Sequence, residues 1–259
     1  MQNRLVEYDF KQAEVCAIAC YSLDPVLVDY ITDLTSDMHK DVSFRLFLMK
    51  REEVTSRLRQ IGKNKFTFLE FYGGWFKQAA EGIWKDLIEE DKQHLKKKGI
   101  RHLDDFVGHV ETVEKWLWKK FCVYAEWRKE TIREYLKKGY IDLLTGFRCY
   151  GPMKRNEIFS YRAQGTAFHW LMYWYIQVSK KLKEKRITRS YFWGEIHDAA
   201  LGNIHPDDEK EIDYWVWFYG TQEIREHWPW INVPLLIEKE KSEIGGTWAK
   251  MEKCGVLKF

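Results

Sequence analysis

The first hydrophobic pattern is a short, mostly apolar run over residues 5–10, the length of a buried strand that ends near Asp9. Ala13, Val15, Cys16, Ala17, Ile18 and Cys20 follow, small and apolar, as in a helix packed closely against that strand. Asp24-Pro25 joins a good N-cap to a proline at the first helical position, so a second helix is predicted to start there. From residue 25 to residue 138 there is almost no turn chemistry beyond isolated glycines, and much helical periodicity. Trp116, Phe121, Tyr124 and Trp127 recur at intervals of three to five, which predicts one amphipathic helix. A hairpin-like segment covers residues 139–151, with Leu144-Thr145-Gly146 as its turn. Residues 158–183 read as a long helix, and residues 191–196 and 199–204 as two strands flanking His197-Asp198. Pro206-Asp207-Asp208 opens another helix. The order is strand, helix, long helical insertion, hairpin, helix, hairpin, helix. It predicts an α+β domain with an all-α subdomain inserted into it.

Composition narrows the class. Hydrophobic residues at 45% and charged residues at 31% exclude a disordered chain. No apolar run approaches a membrane span and no signal-peptide pattern opens the chain, so a cytoplasmic protein is expected. Cys16, Cys20, Cys122, Cys149 and Cys254 form no CxxC pair and have no zinc-like histidine spacing; they read as reduced core residues. The 13 Trp predict a core built from large rings, with base stacking as a second use. A net charge of +3 is too small to argue for a polyanionic partner. Its distribution is uneven: Lys96 to Lys98 with Arg101, and residues 180–189, are basic clusters that suit either phosphates or solvated helix faces.

Four clusters carry candidate chemistry, each of low specificity alone. Asp9-Phe10-Lys11-Gln12-Ala13-Glu14 ends the first strand, where a carboxylate and the Phe10 carbonyl offer hard oxygen ligands to a divalent cation. Arg59 and Lys63 stand four apart, so both project from one helical face, a fork and a point charge able to grip a triphosphate. Phe66, Phe68 and Tyr72-Gly73 follow them. Gln164-Gly165-Thr166-Ala167 lies inside a helical pattern, where glycine permits close approach of another element or a nucleic-acid strand. Gln164 suits a minor-groove acceptor. Last, His197-Asp198 occupies the bend between two apolar strands, which would hold Asp198 beside the first strand. A hydrolase dyad is the other use of such a pair, but no GxSxG elbow completes it.

In this order the clusters resemble the motif series of family A DNA polymerases: D-x-S-Q-x-E, then R-x3-K…F…YG, then QGTA, then HDE. Gly139-Tyr140 with Gly146-Phe147-Arg148 is similar to the family's G-Y…G-R segment, and Asp37-Met38-His39 to its D-I-H pattern. The resemblance runs over nearly the whole chain. It implies a palm with a small antiparallel sheet at residues 1–25 and 139–259, and helical fingers at residues 26–138. It also implies nucleotidyl transfer from dNTPs to the primer of a primer–template DNA by two Mg²⁺ ions, with Mn²⁺ as the alternative. Asp9, the Phe10 carbonyl and Asp198 match the metal ligands. Arg59, Lys63 and His39 match the triphosphate grip, with Lys63 also the proton donor to the leaving group. Gln12 matches a dNTP-binding position. Glu14 matches the residue that crowds the sugar 2′ carbon, and Tyr72 the tyrosine packed on that glutamate near the templating base. Gln164, His197 and Arg148 match DNA-binding positions. The alternative is a catalytically inactive protein that kept the fold for nucleic-acid binding or assembly; an RNA-using relative ranks third.

Four departures bear on these roles. Lys11 replaces a serine, Ala199 an accessory glutamate, and Ser160 an asparagine of the minor-groove contact. The step from Lys63 to Tyr72 is nine residues, one more than the family pattern. On a regular helix of about 100° per residue the extra residue turns Tyr72 to the face opposite Lys63, unless a π-bulge or break restores it. Either Phe66 or Phe68 is then the aromatic against the sugar; counting back from Tyr72 selects Phe68. Asp9 stands eight residues after Met1. The expectation is a chain without thumb or exonuclease domain, one half of a split, phage-type polymerase whose N-terminal half is a separate polypeptide. An excised fragment is the plainer alternative.

Overall fold

The computed structural model describes residues 2–33 and 35–259. In chain order the first elements are β1 (Arg4–Phe10), α1 (Ala13–Ser22), α2 (Pro25–Thr32), α3 (Met38–Leu46), α4 (Ser56–Gly62) and α5 (Phe68–Phe71). Next come α6 (Phe76–Asp86), α7 (Glu89–Lys97), α8 (Leu103–Lys120), α9 (Cys122–Lys138), β2 (Tyr140–Asp142), β3 (Arg148–Tyr150) and α10 (Arg155–Glu184). The chain continues through β4 (Tyr191–Ile196), β5 (Ala199–Ile204), α11 (Pro206–Trp217), α12 (Ile224–His227), β6 (Ile237–Lys241) and β7 (Glu252–Val256). The fold is α+β, a small antiparallel sheet among many helices, and it divides into two compact units.

The first unit takes in residues 1–21, 142–149 and 161–259. Its sheet has the order β4-β5-β1-β6-β7, with every described pair antiparallel. On β1 the side chains alternate: Val6, Tyr8 and Phe10 are buried, while Glu7 and Asp9 point to the other face. The buried set meets α10, with Tyr8 and Trp174 rings 6.2 Å apart and Phe10 and Trp170 also 6.2 Å apart, so the large rings make core as expected. Three of the six basic residues in the 180–189 cluster are ion-paired. Lys181 pairs with Glu184, Lys185 with Glu211, and Arg189 with Asp207 and Asp208.

The hydrophobic pattern does not predict β6 and β7. The β6 sequence Ile-Glu-Lys-Glu-Lys looks like an exposed charged segment, yet Lys239 is 4% exposed. Its Nζ donates to Glu209 and Asp213, each at 2.6 Å, and Asp213 also accepts from the Tyr8 hydroxyl at 2.6 Å. A strand whose inward lysine is met by two acids of α11 carries no apolar alternation to read.

The second unit, residues 22–141 and 150–160, is built on helices. Asp24 caps α2 as the sequence indicates: its Oδ1 accepts from the amides of Val26 and Leu27, with Pro25 at the first helical position. Its Oδ2 accepts from the amide of Tyr124 at 2.9 Å, so the same carboxylate also caps α9. That second cap corrects the single helix expected through Trp116 and Trp127. The helix breaks at Phe121 (φ −99°, ψ 55°), whose fully buried ring packs edge-on to Phe71 while α9 restarts on the distant cap. The cysteines need correction too: Cys16 and Cys20 are core residues, but Cys122 and Cys254 are exposed and Cys149 is partly so.

Candidate functional site

In the first unit, β1 and β5 pair so that Asp9 faces Ala199, and β4 pairs with β5 so that Ile196 faces Ala199. His197-Asp198 is thus a two-residue hairpin turn, with His197 in the left-handed region at φ 58°. The turn holds Asp198 beside Asp9. Asp9 is half-buried, its Oδ1 has no hydrogen-bond partner, and its carboxyl is pushed up to about 7. Burial is the main cause, followed by the charges of Asp198, Glu7, Glu238 and Glu240. The three glutamates were not foreseen. Glu7 shares the Asp9 face of β1 at a spacing of two; Glu238 faces Asp9 and Glu240 faces Glu7 across β6, a strand the sequence pattern hides.

Beside the turn is a cleft of about 310 Å³ lined by Glu14 of α1, Gln164, Gly165, Ala167 and Phe168 of α10, and His197 and Asp198. The QGTA segment divides its work. A side chain on Gly165 would stand 2.9 Å from the Leu143 Cδ1 atom, so the glycine lets the 142–149 hairpin close on α10. The Thr166 hydroxyl meets the Tyr21 hydroxyl at 3.0 Å, and Ala167 is buried, which leaves Gln164 exposed to the cleft. Gln12, exposed and at φ 58°, makes the turn from β1 into α1. Arg148 lies outside this cleft, its Nε donating to Asp142 at 2.5 Å within the hairpin.

In the second unit, Lys63–Thr67 is a π-helical turn between α4 and α5. It absorbs the extra residue between Lys63 and Tyr72 and brings one face together. Lys63 Nζ is 5.4 Å from the Phe68 ring, and Phe68 stacks on Tyr72 at 6.1 Å and 9°. Phe66 is fully buried, so it takes no part in that face. His39 joins it, 5.6 Å from Phe68, with both ring nitrogens lacking partners. Burial lowers its pKa to about 4, with Lys63 and Arg59 adding to the effect. Arg59 Nε donates to Asp37 Oδ2 at 2.7 Å, and Asp37 caps α3 through the Lys40 amide. Asp37 therefore orients the guanidinium, a role its motif position alone does not reveal.

The family model for DNA polymerase family A matches residues 1–250. The chain belongs to that family. Among proteins similar to this family A chain is DNA polymerase I of Aquifex aeolicus, 24% identical over 216 residues that cover 81% of this chain and 34% of that protein. DNA polymerase I of Bacillus subtilis is 23% identical, covering 89% and 24%. The DNA polymerase of Bacillus phage SP01 is 24% identical, covering 80% and 22%. The chain thus spans about a third or less of the length of these relatives. Its fold is similar to the polymerase domain of Pol1 from M. smegmatis, solved with DNA primer–template and dNTP, at a TM-score of 0.66 and 20% identity over 93% of this chain and 40% of that one.

Among the described residues no group of three or more His, Cys, Asp or Glu side chains is arranged to hold a metal ion. Nor is any helix long and apolar enough to cross a membrane. The donor set at Asp9 and Asp198 is nonetheless chemically suited to Mg²⁺. That ion takes one or two carboxylates and completes its shell with water and substrate phosphate oxygens, and the Asp9 Oδ1 atom is a buried acceptor without a donor.

Proposed function

We propose that the chain carries out template-directed DNA synthesis, transferring a nucleotidyl group from a dNTP to a primer 3′-hydroxyl. The observation that carries this reading is the Asp9 carboxyl, half-buried beside Asp198, with an unpartnered oxygen and a pKa near 7. A structural protein gains nothing from holding two acids together at such cost; a pair whose charge is met by divalent cations does. When bound at Asp9, Asp198 and the Phe10 carbonyl, two Mg²⁺ ions would acidify the primer hydroxyl and stabilise the leaving pyrophosphate.

The chain's own residues bind and orient the reactants. Arg59, held by Asp37, forks onto the triphosphate, Lys63 adds a point charge, and His39 offers its unpartnered ring nitrogens. Lys63 also supplies a proton to the leaving pyrophosphate. Phe68 lies on the deoxyribose, Glu14 crowds its 2′ carbon, Gln12 helps seat the nucleotide, and Tyr72 meets the templating base. Gln164 tests the minor groove, His197 the primer terminus, and Arg148 a backbone phosphate. Residues 1–25 and 139–259 serve as palm and residues 26–138 as fingers. Primer–template DNA and dNTP in the M. smegmatis neighbour support these partners.

The test is single-nucleotide primer extension with dNTP or rNTP. The wild type is expected to prefer dNTP, and Glu14→Ala to raise rNTP use about tenfold or more. Equal use of both nucleotides, unchanged by the substitution, removes the role given to Glu14.

A further inference from the structure

α7 runs out into Lys96-Lys97-Lys98, a basic stretch that none of the roles above takes up. Lys97 and Lys98 edge two clefts of the helical unit, of about 470 and 590 Å³, which meet along the turn that follows α3. Both clefts are lined by Leu48, Met49 and Lys98, so they form one continuous groove. Its floor is apolar, with Phe44, Val113 and Trp116 beside the shared Leu48 and Met49. Leu48 sits in the left-handed region at φ 51°, which a leucine adopts only where its surroundings hold it. Two imidazoles do so. His109 Nε2 of α8 donates to the Arg45 carbonyl at 3.0 Å, and His94 Nε2 of α7 to the Leu48 carbonyl at 3.3 Å. The turn is thereby fixed from two helices, and the Leu48 side chain stays half-exposed where the clefts join. The groove is preformed.

Its rim is cationic. Lys50, Lys97 and Lys98 are exposed and, among the described residues, form no ion pair. Glu53 is the one acid among the described residues that line the groove, and its Oε2 accepts from the Lys50 amide at 2.9 Å. An anionic occupant is therefore favoured, and its class follows from what the groove lacks. Arg45 lies over the Trp116 and Phe44 rings, at 4.2 and 4.8 Å from their centroids, and Lys120 is 5.4 Å from the Trp116 ring. Those contacts leave a nucleic-acid base no open ring to stack on and a phosphate no free guanidinium fork. Lysine point charges serve carboxylates, and a floor of leucine and methionine adapts to aliphatic side chains. A wholly apolar occupant would leave the three ammonium groups without use.

We propose that this groove docks an acidic segment of a partner protein, with aliphatic side chains seated against Val113 and Trp116 and carboxylates on Lys50, Lys97 and Lys98. The apolar cleft lies within the range of roughly 300–1,000 Å³ typical of preformed binding clefts. The inference stands on the helical unit alone and does not require the polymerase reading.

The test is fluorescence anisotropy of the whole chain with a short labelled peptide of Asp and Glu around a central Leu-Leu pair. Two further probes are the same peptide with Ser-Ser at its centre and a short oligothymidylate. The leucine peptide is expected to bind, more weakly as salt is raised, and the serine peptide to bind about tenfold less tightly. Lys98→Glu, at an exposed position that lines both clefts, should weaken the leucine peptide about tenfold or more. Lys180→Glu, an equal charge reversal at an exposed site of the other unit, should leave it unchanged. Circular dichroism checks that both variants are folded. Equal binding of the leucine and serine peptides overturns the apolar seat. Equal weakening by the two charge reversals overturns the groove as the place of binding. Oligothymidylate that binds more tightly than the peptide, with the same dependence on Lys98, overturns the protein partner in favour of a nucleic acid. Absence of binding by the leucine peptide overturns the proposal as a whole.

Discussion

Asp9, Glu70 and His39 are held away from their ordinary titration, each by burial first and a charged neighbour second: Asp9 near 7, Glu70 near 8 and His39 near 4. For His39 the sign is set by a folded pKa below the unfolded one. The unfolded chain takes up the proton first, so the stability this residue supports is intact above about pH 6.5 and lost as the pH falls towards 4. At about pH 5 the loss is about 2 kcal/mol. Asp9 and Glu70 act in the opposite sense, binding protons more readily when folded and costing stability as the pH rises through about 4 to 8. A comparison of wild type with His39→Gln isolates the histidine. Denaturant titrations at about pH 7.5 and pH 5 should show the variant losing about 2 kcal/mol less on acidification. An equal loss in both proteins would mean that the ring is not held neutral by burial.

At the scale of elements, one carboxylate and one irregular turn decide the shape of the helical unit. Asp24 caps both α2 and α9 from a buried position, so Asp24→Ala removes three acceptor contacts at once. The expected cost is about 2 kcal/mol or more in chemical denaturation. A change under about 0.5 kcal/mol would show that water replaces the caps. The π turn at Lys63–Thr67 accommodates one residue beyond a regular helix, and Asn64 within it is exposed. Deleting Asn64 should therefore leave a regular helix that still aligns Lys63 with Phe68 and Tyr72, with dNTP affinity within about threefold of wild type. Inserting an alanine there should rotate Tyr72 by about 100° and weaken binding more than tenfold. If deletion and insertion are equally harmful, the π turn has a role beyond absorbing a residue.

The same scale explains what the sequence made legible. β4, β5 and the opening of α11 stand where the apolar runs and Pro206 indicate, because a buried strand and a proline at a helix start are local signals. The break at Phe121 and the strands β6 and β7 depend on partners far along the chain: Asp24 for α9, and Glu209 with Asp213 for Lys239. No local pattern records them. Asp9, Asp198, Lys63 and His39 could be named from motif order, yet motif order could not show that the Asp9 oxygen is unpartnered or that Glu7, Glu238 and Glu240 surround it.

For the molecule as a whole, membership of DNA polymerase family A rests on a match through residues 1–250, and the fold on an α+β architecture shared with a polymerase domain. Each unit carries part of the proposed chemistry. The sheet unit has the acids, and the helical unit has the cations, the buried imidazole and the stacked Phe68–Tyr72 pair. The central claim is that Asp9 and Asp198 make the chain a metal-dependent polymerase. The most direct measurement is primer extension with Mg²⁺ and dNTPs by wild type, Asp9→Ala and Asp198→Ala. Each protein would be assayed alone and with a polypeptide supplying the thumb-bearing part of a family A enzyme. Synthesis by the wild type, dependent on Mg²⁺ and abolished in both folded variants, is the expected result. No synthesis under any condition, with DNA binding unaffected by either substitution, would contradict it and leave a polymerase fold used for binding alone.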